Sequence, residues 1–261
     1  MKNNKNRILL LLGIMLGVSG CVSSSGVDEN AADIEASRYN TQAAAEYYRQ
    51  GSIETALEKA EKAIDQDDEN ADAWMIYGMI LASRGNPEDI DNAEDAYEEA
   101  VSLRPEDPSI RNNYGSFLCG QGEYRDAIEE FISVAKDRRY HKPEAAWTNA
   151  GTCAMRIPDY INAEEYLRSA LEINREYAPA LWQMAQLMLE RDKALPARAF
   201  LQRLEAMGQL PAEALWLGVQ IEKNLNDQAA AQRYADILLR DYPESREAVM
   251  VLEMREAEGN D

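Results

Sequence analysis

Alanines and large apolar residues recur along the chain from residue 37 with a period of about 34 residues, the length typical of a helical-hairpin repeat. Between the recurring positions, apolar residues follow the three- and four-residue spacing of amphipathic helices. Trp182 and Trp216 are separated by the same interval. The alanines that follow a turn signal recur at nearly constant intervals, and they are Ala56, Ala93, Ala127, Ala163, Ala197 and Ala231. Such a period predicts an array of helical repeats rather than one globular core.

Each period is predicted to form two antiparallel helices that pack closely. Small residues that let the helices approach recur on the first helix of each pair, at Gly78, Gly115, Gly151 and Ala185. The alanine after each turn has the same effect on the second helix. Larger apolar residues fill the space to the next hairpin, because one hairpin cannot bury its apolar face alone. The chain is therefore predicted to be all-α.

The pattern resembles the tetratricopeptide repeat, whose consensus places W-x2-L-G-x2-Y in the first helix and A-x3-F, then a proline, later. The second period carries the fullest match, with Trp74, Tyr77, Gly78, Ala93, Tyr97 and Pro105. The resemblance implies a right-handed α-solenoid of six helical hairpins and a C-terminal capping helix. The predicted repeats are 37–70, 71–107, 108–141, 144–177, 178–211 and 212–245, followed by a capping helix and tail at 246–261. Extra residues in the second repeat are predicted to lengthen its turn, within residues 85–91.

Residues 1–20 have the pattern of a secretion signal. Lys2, Lys5 and Arg7 precede a short apolar run, Ile8–Val18, and small residues follow the run. A helix needs roughly 20 apolar residues to span a bilayer, and this run is much shorter. A permanent transmembrane helix is therefore the weaker interpretation.

The segment Val18–Cys21 resembles the bacterial lipobox, whose cysteine is lipidated and becomes the new N-terminus. The resemblance implies that Cys21 carries a lipid anchor. Because residue 22 is Val and not Asp, it also implies the outer membrane, with the protein facing the periplasm. The alternative is a soluble periplasmic protein with an incidental cysteine. Residues 21–36 are mostly small and polar, and they are predicted to form a flexible tether.

Acidic residues dominate the charge of the chain. There are 47 acidic and 27 basic residues, which give a formal net charge of −20. This charge repels nucleic acid and anionic lipid headgroups, so no nucleic-acid partner is expected. The charge favours solubility, which is sufficient to explain most of it, and it is also compatible with basic partners.

Residues for catalysis are scarce. The one histidine, His141, lies at a predicted repeat junction, and a catalytic triad or zinc site needs partners at defined places. No metalloprotease, P-loop, nucleophile-elbow or dinucleotide-binding motif occurs. We therefore predict a protein that is not an enzyme, with no metal, cofactor or small-molecule substrate. An enzyme built on a repeat scaffold is the rival hypothesis.

Cys119 and Cys153 lie on the first helices of the third and fourth repeats, at similar levels along the helix axes. First helices of neighbouring repeats pack side by side, and the periplasm is oxidising, so a structural disulfide between the two residues is predicted. The alternative is a pair of small buried thiols at the repeat interface.

In the tetratricopeptide family, positions 2, 5, 9, 12 and 13 of each first helix line a concave groove. In the first repeats these positions are mostly small or apolar and their net charge is nearly neutral, which suits an apolar peptide or helix. Tyr47 stands at a packing position and is expected in the core. Tyr48, Met75 and Met79 are equally compatible with the core and with the groove. The residues predicted to contact a partner are Tyr48, Met75, Met79, Asn112 and Ser116.

The lipobox, tether, six repeats and cap together resemble the PilF/PilW family of type IV pilus biogenesis lipoproteins, the pilotins. The segments Trp74–Gly78 and Asn112–Cys119 carry the resemblance most clearly. The resemblance implies an outer-membrane scaffold that binds the pilus secretin subunit and promotes its localisation and oligomerisation. An adaptor for cell-wall hydrolases or for outer-membrane protein assembly is the alternative in the same class.

Overall fold

The computed structural model describes residues 25–259, with side chains from residue 30 to residue 257. The predicted secretion signal and Cys21 lie outside the described residues. Within that range the chain contains thirteen α-helices and no strand. The all-α solenoid of six tetratricopeptide hairpins and a capping helix, which the resemblance to the tetratricopeptide repeat implies, is confirmed.

The first twelve helices form six hairpins. They are α1 (Ser25–Arg49) and α2 (Ile53–Gln66), α3 (Ala71–Arg84) and α4 (Pro87–Leu103), α5 (Pro108–Gln121) and α6 (Tyr124–Lys136), α7 (Pro143–Arg156) and α8 (Tyr160–Ile173), α9 (Ala178–Glu190) and α10 (Ala194–Glu205), α11 (Ala212–Asn224) and α12 (Gln228–Asp241). The last helix, α13 (Arg246–Gly259), packs against α11 and α12. The first helices of repeats two to six begin at residues 71, 108, 143, 178 and 212, at or immediately next to the predicted repeat starts.

Helix α1 begins well before the first predicted repeat. The segment 25–36, which was predicted to belong to a flexible tether, is helical and continuous with the rest of α1. The prediction of a tether is therefore wrong for these residues. Ala31, Ala32 and Ala36 are strong helix formers, and no glycine or proline interrupts the chain from residue 27 to residue 50. Most of the side chains at 30–36 are exposed, so the segment lacks the apolar periodicity by which a helix is recognised in a sequence.

The extra residues of the second repeat lengthen a helix and not a turn. Only Gly85 and Asn86 separate α3 from α4, and α4 has 17 residues where α2 and α8 have 14. The Asn86 side chain caps α4 by accepting a hydrogen bond from the Asp89 backbone N–H at 3.0 Å, and Pro87 occupies the first turn. Both features favour an early helix start, which explains why the predicted longer turn does not form.

Small residues set the distance between the two helices of each hairpin. The six periodic alanines, from Ala56 to Ala231, are all buried. A Cβ atom added at Gly78 would lie 3.1 Å from both the Ala93 carbonyl oxygen and the Tyr97 ring. Gly218 has the same relation to the Tyr234 ring in the sixth repeat, where no such glycine was predicted. The largest apolar cluster spans repeats four to six and includes Val251 of the capping helix.

A polar network fixes the first repeat against the second. The Asn70 side-chain amide donates hydrogen bonds to Ser37 Oγ at 2.8 Å and Thr41 Oγ1 at 3.1 Å, while its oxygen accepts from the Ala73 backbone N–H and caps α3. Ser37 Oγ in turn donates to the Ala63 carbonyl oxygen at 2.7 Å. Because Ser37 and Thr41 are buried, these bonds satisfy groups that water cannot reach, and they hold α1, α2 and α3 in one register.

A candidate peptide-binding groove

The first helices of neighbouring repeats contact one another along the solenoid, from α1 through α3, α5, α7, α9 and α11. They form a continuous inner face, and the five residues predicted to bind a partner lie on its first three helices, α1, α3 and α5. The structure places these residues in different local environments.

Tyr48 and Met79 are half-buried and pack against the apolar cluster that includes Ala44, Ile76 and Ile80. Each side chain therefore contributes to the core of the first two repeats and still offers accessible surface. Tyr47 is 37% exposed, so the expectation that it lies in the core is wrong. Within the described residues no helix precedes α1, and its outer face is therefore left uncovered at this end.

Met75 lines a cavity of about 400 Å³ between α1 and α3. The walls combine the apolar Ala45 and Met75 with the polar Thr41, Asn70, Arg38 and Asp72. Asp72 is paired with Arg104, whereas Arg38 forms no ion pair with any described residue. The cavity can therefore bind an apolar side chain against Ala45 and Met75, and a hydrogen-bond acceptor or carboxylate at the exposed Arg38.

Asn112 and Ser116 belong to a more polar part of the inner face. The Asn112 side-chain oxygen accepts a hydrogen bond from the Asn149 amide at 3.4 Å, and Ser116 Oγ donates to the Asn112 carbonyl oxygen at 2.9 Å. Ser116 also lines a cavity of about 410 Å³ with Thr152 and Arg156 of the fourth repeat. Of the predicted residues, Met75 and Ser116 thus line two different cavities, and the other three line neither.

A disulfide joins Cys119 of α5 to Cys153 of α7, with the Cα atoms 6.0 Å apart. Cys153 is fully buried, while Cys119 is half-buried and lines the same cavity as Ser116. The bond links first helices of neighbouring repeats, so it fixes the width of the inner face at this cavity.

Two tyrosines beneath the inner face, Tyr97 and Tyr114, keep their hydroxyl groups protonated. Burial, followed by the nearby Tyr48, raises the pKa of Tyr97 well above its usual value, and burial is also the main cause that raises the pKa of Tyr114. The Tyr97 ring packs against Phe117, with centroids 5.1 Å apart, and against Tyr114, with centroids 6.0 Å apart. This cluster gives α3 and α5 a rigid apolar support.

A second group of groove residues lies at the other end of the solenoid, where none was predicted. Trp182 lines a largely apolar cavity of about 740 Å³ between α9 and α11. Trp182 and Trp216 stand at position 5 of their repeats, which faces the groove, whereas Trp74 and Trp147 stand at position 4. The interval between Trp182 and Trp216 indicates the repeat, and only their shift to position 5 distinguishes them from Trp74 and Trp147.

Metal sites and membrane-spanning helices are absent from the part of the chain that the structure describes. No group of three or more histidine, cysteine, aspartate or glutamate side chains in that range could hold a metal ion. No described helix has both the length and the apolar content to cross a membrane. His141 is exposed, in the turn between α6 and α7.

The chain matches one protein-family model and one curated relative over much of its length. The tetratricopeptide repeat family matches it in three overlapping segments, at residues 41–107, 88–138 and 118–179. Over 246 residues the chain is 26% identical to the type IV pilus assembly protein PilF of Pseudomonas aeruginosa, and the match covers 92% of this chain and 96% of PilF.

Two solved structures resemble the chain over most of its length. PilW, described as a widely conserved type IV pilus biogenesis factor, superposes with a TM-score of 0.76 at 29% identity, over 83% of this chain and 98% of PilW. PilF of Pseudomonas aeruginosa superposes with a TM-score of 0.72 at 25% identity, over 87% of this chain and 99% of PilF.

Proposed function

We propose a scaffolding role in type IV pilus biogenesis for this chain, which belongs to the tetratricopeptide repeat family. The observation that carries the proposal is the extent of the likeness. PilF and PilW match the chain along almost their whole length, and each match covers more than four fifths of this chain.

The partner in this proposal is the secretin subunit of the pilus machinery, which binds to the inner face of repeats one to three. The cavity at Met75 accepts an apolar side chain, and the accessible parts of Tyr48 and Met79 extend the apolar surface beside it. The polar network around Asn70 holds α1 against α3, so this surface is formed before the partner arrives. A preformed surface loses less conformational entropy on binding.

The proposal includes a lipid anchor at Cys21 and a position on the periplasmic face of the outer membrane. Helix α1 begins at Ser25, close behind Cys21 in the sequence. At a rise of about 1.5 Å per residue, the helical segment 25–36 extends about 18 Å. It would act as a semi-rigid spacer between the membrane and the groove. The scaffold would then carry the secretin to the outer membrane and promote assembly of its ring.

Co-purification of the secretin with the full chain tests the binding step. A Met75→Glu, Met79→Glu double variant places charge on the apolar surface and is expected to reduce recovered secretin at least about tenfold, a loss of about 1.4 kcal/mol. The matched control is Ile161→Glu with Leu195→Glu, since both residues are apolar and highly exposed on α8 and α10. Circular dichroism verifies that both variants remain helical.

Unchanged recovery by the folded Met75→Glu, Met79→Glu variant would exclude the groove. Recovery of a cell-wall hydrolase in place of the secretin would favour the adaptor hypothesis. A Cys21→Ala variant tests the anchor, because it should move the chain and the secretin out of the outer-membrane fraction. An unchanged distribution across membrane fractions would contradict lipid targeting.

A further inference from the structure

The cavity beside Trp182 arises where the chain departs from the regular repeat. The turns that lead into α3, α5, α9 and α13 contain four residues each, whereas those that lead into α7 and α11 contain six. Of the two longer turns, only the one at residues 206–211 follows the shortest described helix, α10, which has 12 residues. The shorter helix and longer turn together leave a gap between α9 and α11, and this gap is the cavity of about 740 Å³.

The turn is held in place, so the gap is a preformed site. Leu210 is buried, and its carbonyl oxygen accepts a hydrogen bond of 2.9 Å from the Tyr242 hydroxyl group. Gly208 has a φ of +149°, which other residues adopt only with strain. Met207, between the helix and this glycine, is 47% exposed and contributes an apolar side chain to the cavity wall.

The walls have the chemistry of a site for an apolar side chain. Pro179, Trp182, Leu204 and Met207 provide apolar surface, and the volume lies within the range of about 300–1,000 Å³ found for ligand pockets. Unlike the Trp74 indole N–H, which donates to the Asp68 carbonyl oxygen at 2.8 Å, the Trp182 indole N–H donates to no described residue. It can therefore donate to a peptide carbonyl group.

One charged residue, Glu213, makes the cavity favour basic over acidic ligands. Glu213 is the only ionisable residue among the described residues that line the cavity, it is exposed, and it forms no ion pair within that part of the chain. A cation at this rim would gain a partner, while an anion would be repelled. The walls and the rim together fit a bulky apolar side chain that is followed or preceded by a basic residue.

We propose that this cavity is a second docking site, which binds a polypeptide segment carrying a bulky apolar side chain next to a lysine or arginine. The site lies on repeats five and six, whereas the groove of the proposed function lies on repeats one to three. The scaffold can therefore hold two polypeptide segments at once, one at each end of its inner face.

The test uses fluorescence anisotropy with the full chain and two dye-labelled probes. The basic probe is the blocked peptide Gly-Lys-Leu-Leu-Lys-Gly, and the acidic probe is Gly-Glu-Leu-Leu-Glu-Gly. The basic probe is expected to bind about two- to fivefold more tightly, the range for an exposed ion pair. Glu213→Lys should reverse this preference. Met207→Ser should weaken binding of both probes, whereas Leu195→Ser, the matched control on α10, should not.

The Met75→Glu, Met79→Glu variant separates this site from the secretin groove, because it should bind the probes like the unmodified chain. Loss of probe binding in that variant would place the probes in the groove of repeats one to three and overturn the proposal. Equal binding by Met207→Ser, or an unchanged preference in Glu213→Lys, would also overturn it. Self-association that Met207→Ser abolishes, in a chain to which neither probe binds, would identify a second copy of the chain as the occupant instead and would overturn the proposal.

Discussion

Gly151 on α7 lies so close to Leu167 on α8 that a methyl group at residue 151 would be 2.7 Å from Leu167 Cγ. Real Cβ atoms do not make contacts of this length, so the absent side chain is what permits the hairpin of the fourth repeat to close. Leu167 is fully buried and belongs to the main apolar cluster. The spacing between these two helices therefore depends on a glycine and a leucine that face each other.

Gly151→Ala is expected to destabilise the protein by about 1–3 kcal/mol, the usual cost of overfilling a packed core. The control is Gly120→Ala, because Gly120 is also in a first helix but has nothing within 4 Å of an added Cβ atom. That substitution should stabilise by about 0.5–1 kcal/mol, since alanine favours a helix interior. Urea-unfolding midpoints measure the stability of both variants. Equal changes in stability for Gly151→Ala and Gly120→Ala would contradict the proposed role of Gly151.

The period of the sequence was sufficient to predict the array, because every repeat must bury the same kind of residue at the same interface. The alanines and Gly78, Gly115 and Gly151 marked that interface directly. The period did not predict where α1 and α4 begin, because capping and helix propensity within each segment determine those positions. The cap at Asn86 extended α4 into the expected turn, and an exposed alanine-rich segment continued α1 to Ser25.

The groove residues were harder to predict than the fold. Sequence position identifies which residues face inwards, but exposure depends on the neighbouring repeat. Met75 lines a cavity because α1 and α3 leave space beside it, and Tyr47 is exposed because α1 is the outermost described helix. The cavity at Trp182 depends on the backbone of residues 206–211, which the repeat pattern does not specify.

Arg198 and Glu222 form an ion pair between repeats five and six that is expected to be sensitive to mutation. Arg198 Nε lies 2.9 Å from Glu222 Oε1, and Glu222 is 2% exposed. Arg198→Met would leave this carboxylate buried with no cation against it, so a clear loss of stability is expected. Arg198→Met combined with Glu222→Leu should recover most of the loss, because both charges are then removed. Thermal and urea unfolding of the two variants provide the comparison.

If the double variant were as unstable as the single one, lost packing and not the buried charge would explain the effect. Asp227 also lies 3.2 Å from the Arg198 guanidinium group, but it is more exposed. Asp227→Asn should therefore have a much smaller effect than Arg198→Met.

The disulfide between Cys119 and Cys153 is expected to stabilise the third and fourth repeats. In the chain-entropy account, a cross-link that closes a loop of this length contributes about 3–4 kcal/mol. Replacing both cysteines with alanine should lower the unfolding midpoint, and reduction of the unmodified protein should lower it by a similar amount. The alanine variant should not respond to reductant. A response from that variant would show that reductant acts elsewhere in the chain.

Asp137, at the start of the turn between α6 and α7, provides a test of electrostatics. Its carboxylate accepts hydrogen bonds from the Arg139 backbone N–H at 2.8 Å and from Arg139 Nε at 3.0 Å. The side-chain hydrogen bonds from Arg139, and next the backbone one, lower the pKa of Asp137 to about 2. Because the folded-state pKa lies below the usual value of about 3.9, the pairing stabilises the turn above about pH 4. That contribution is lost as the pH falls from about 4 to about 2.

Arg139→Gln should raise the pKa of Asp137 most of the way to its usual value. A residual depression is expected, because the backbone N–H of residue 139 still donates to the carboxylate. Arg138→Gln is the matched control, since Arg138 is exposed and forms no ion pair with a described residue. A carbon-detected NMR titration of the Asp137 carboxyl group gives the three pKa values. If Arg138→Gln shifted the pKa as far as Arg139→Gln, the general positive charge of the turn, and not the specific pair, would be responsible.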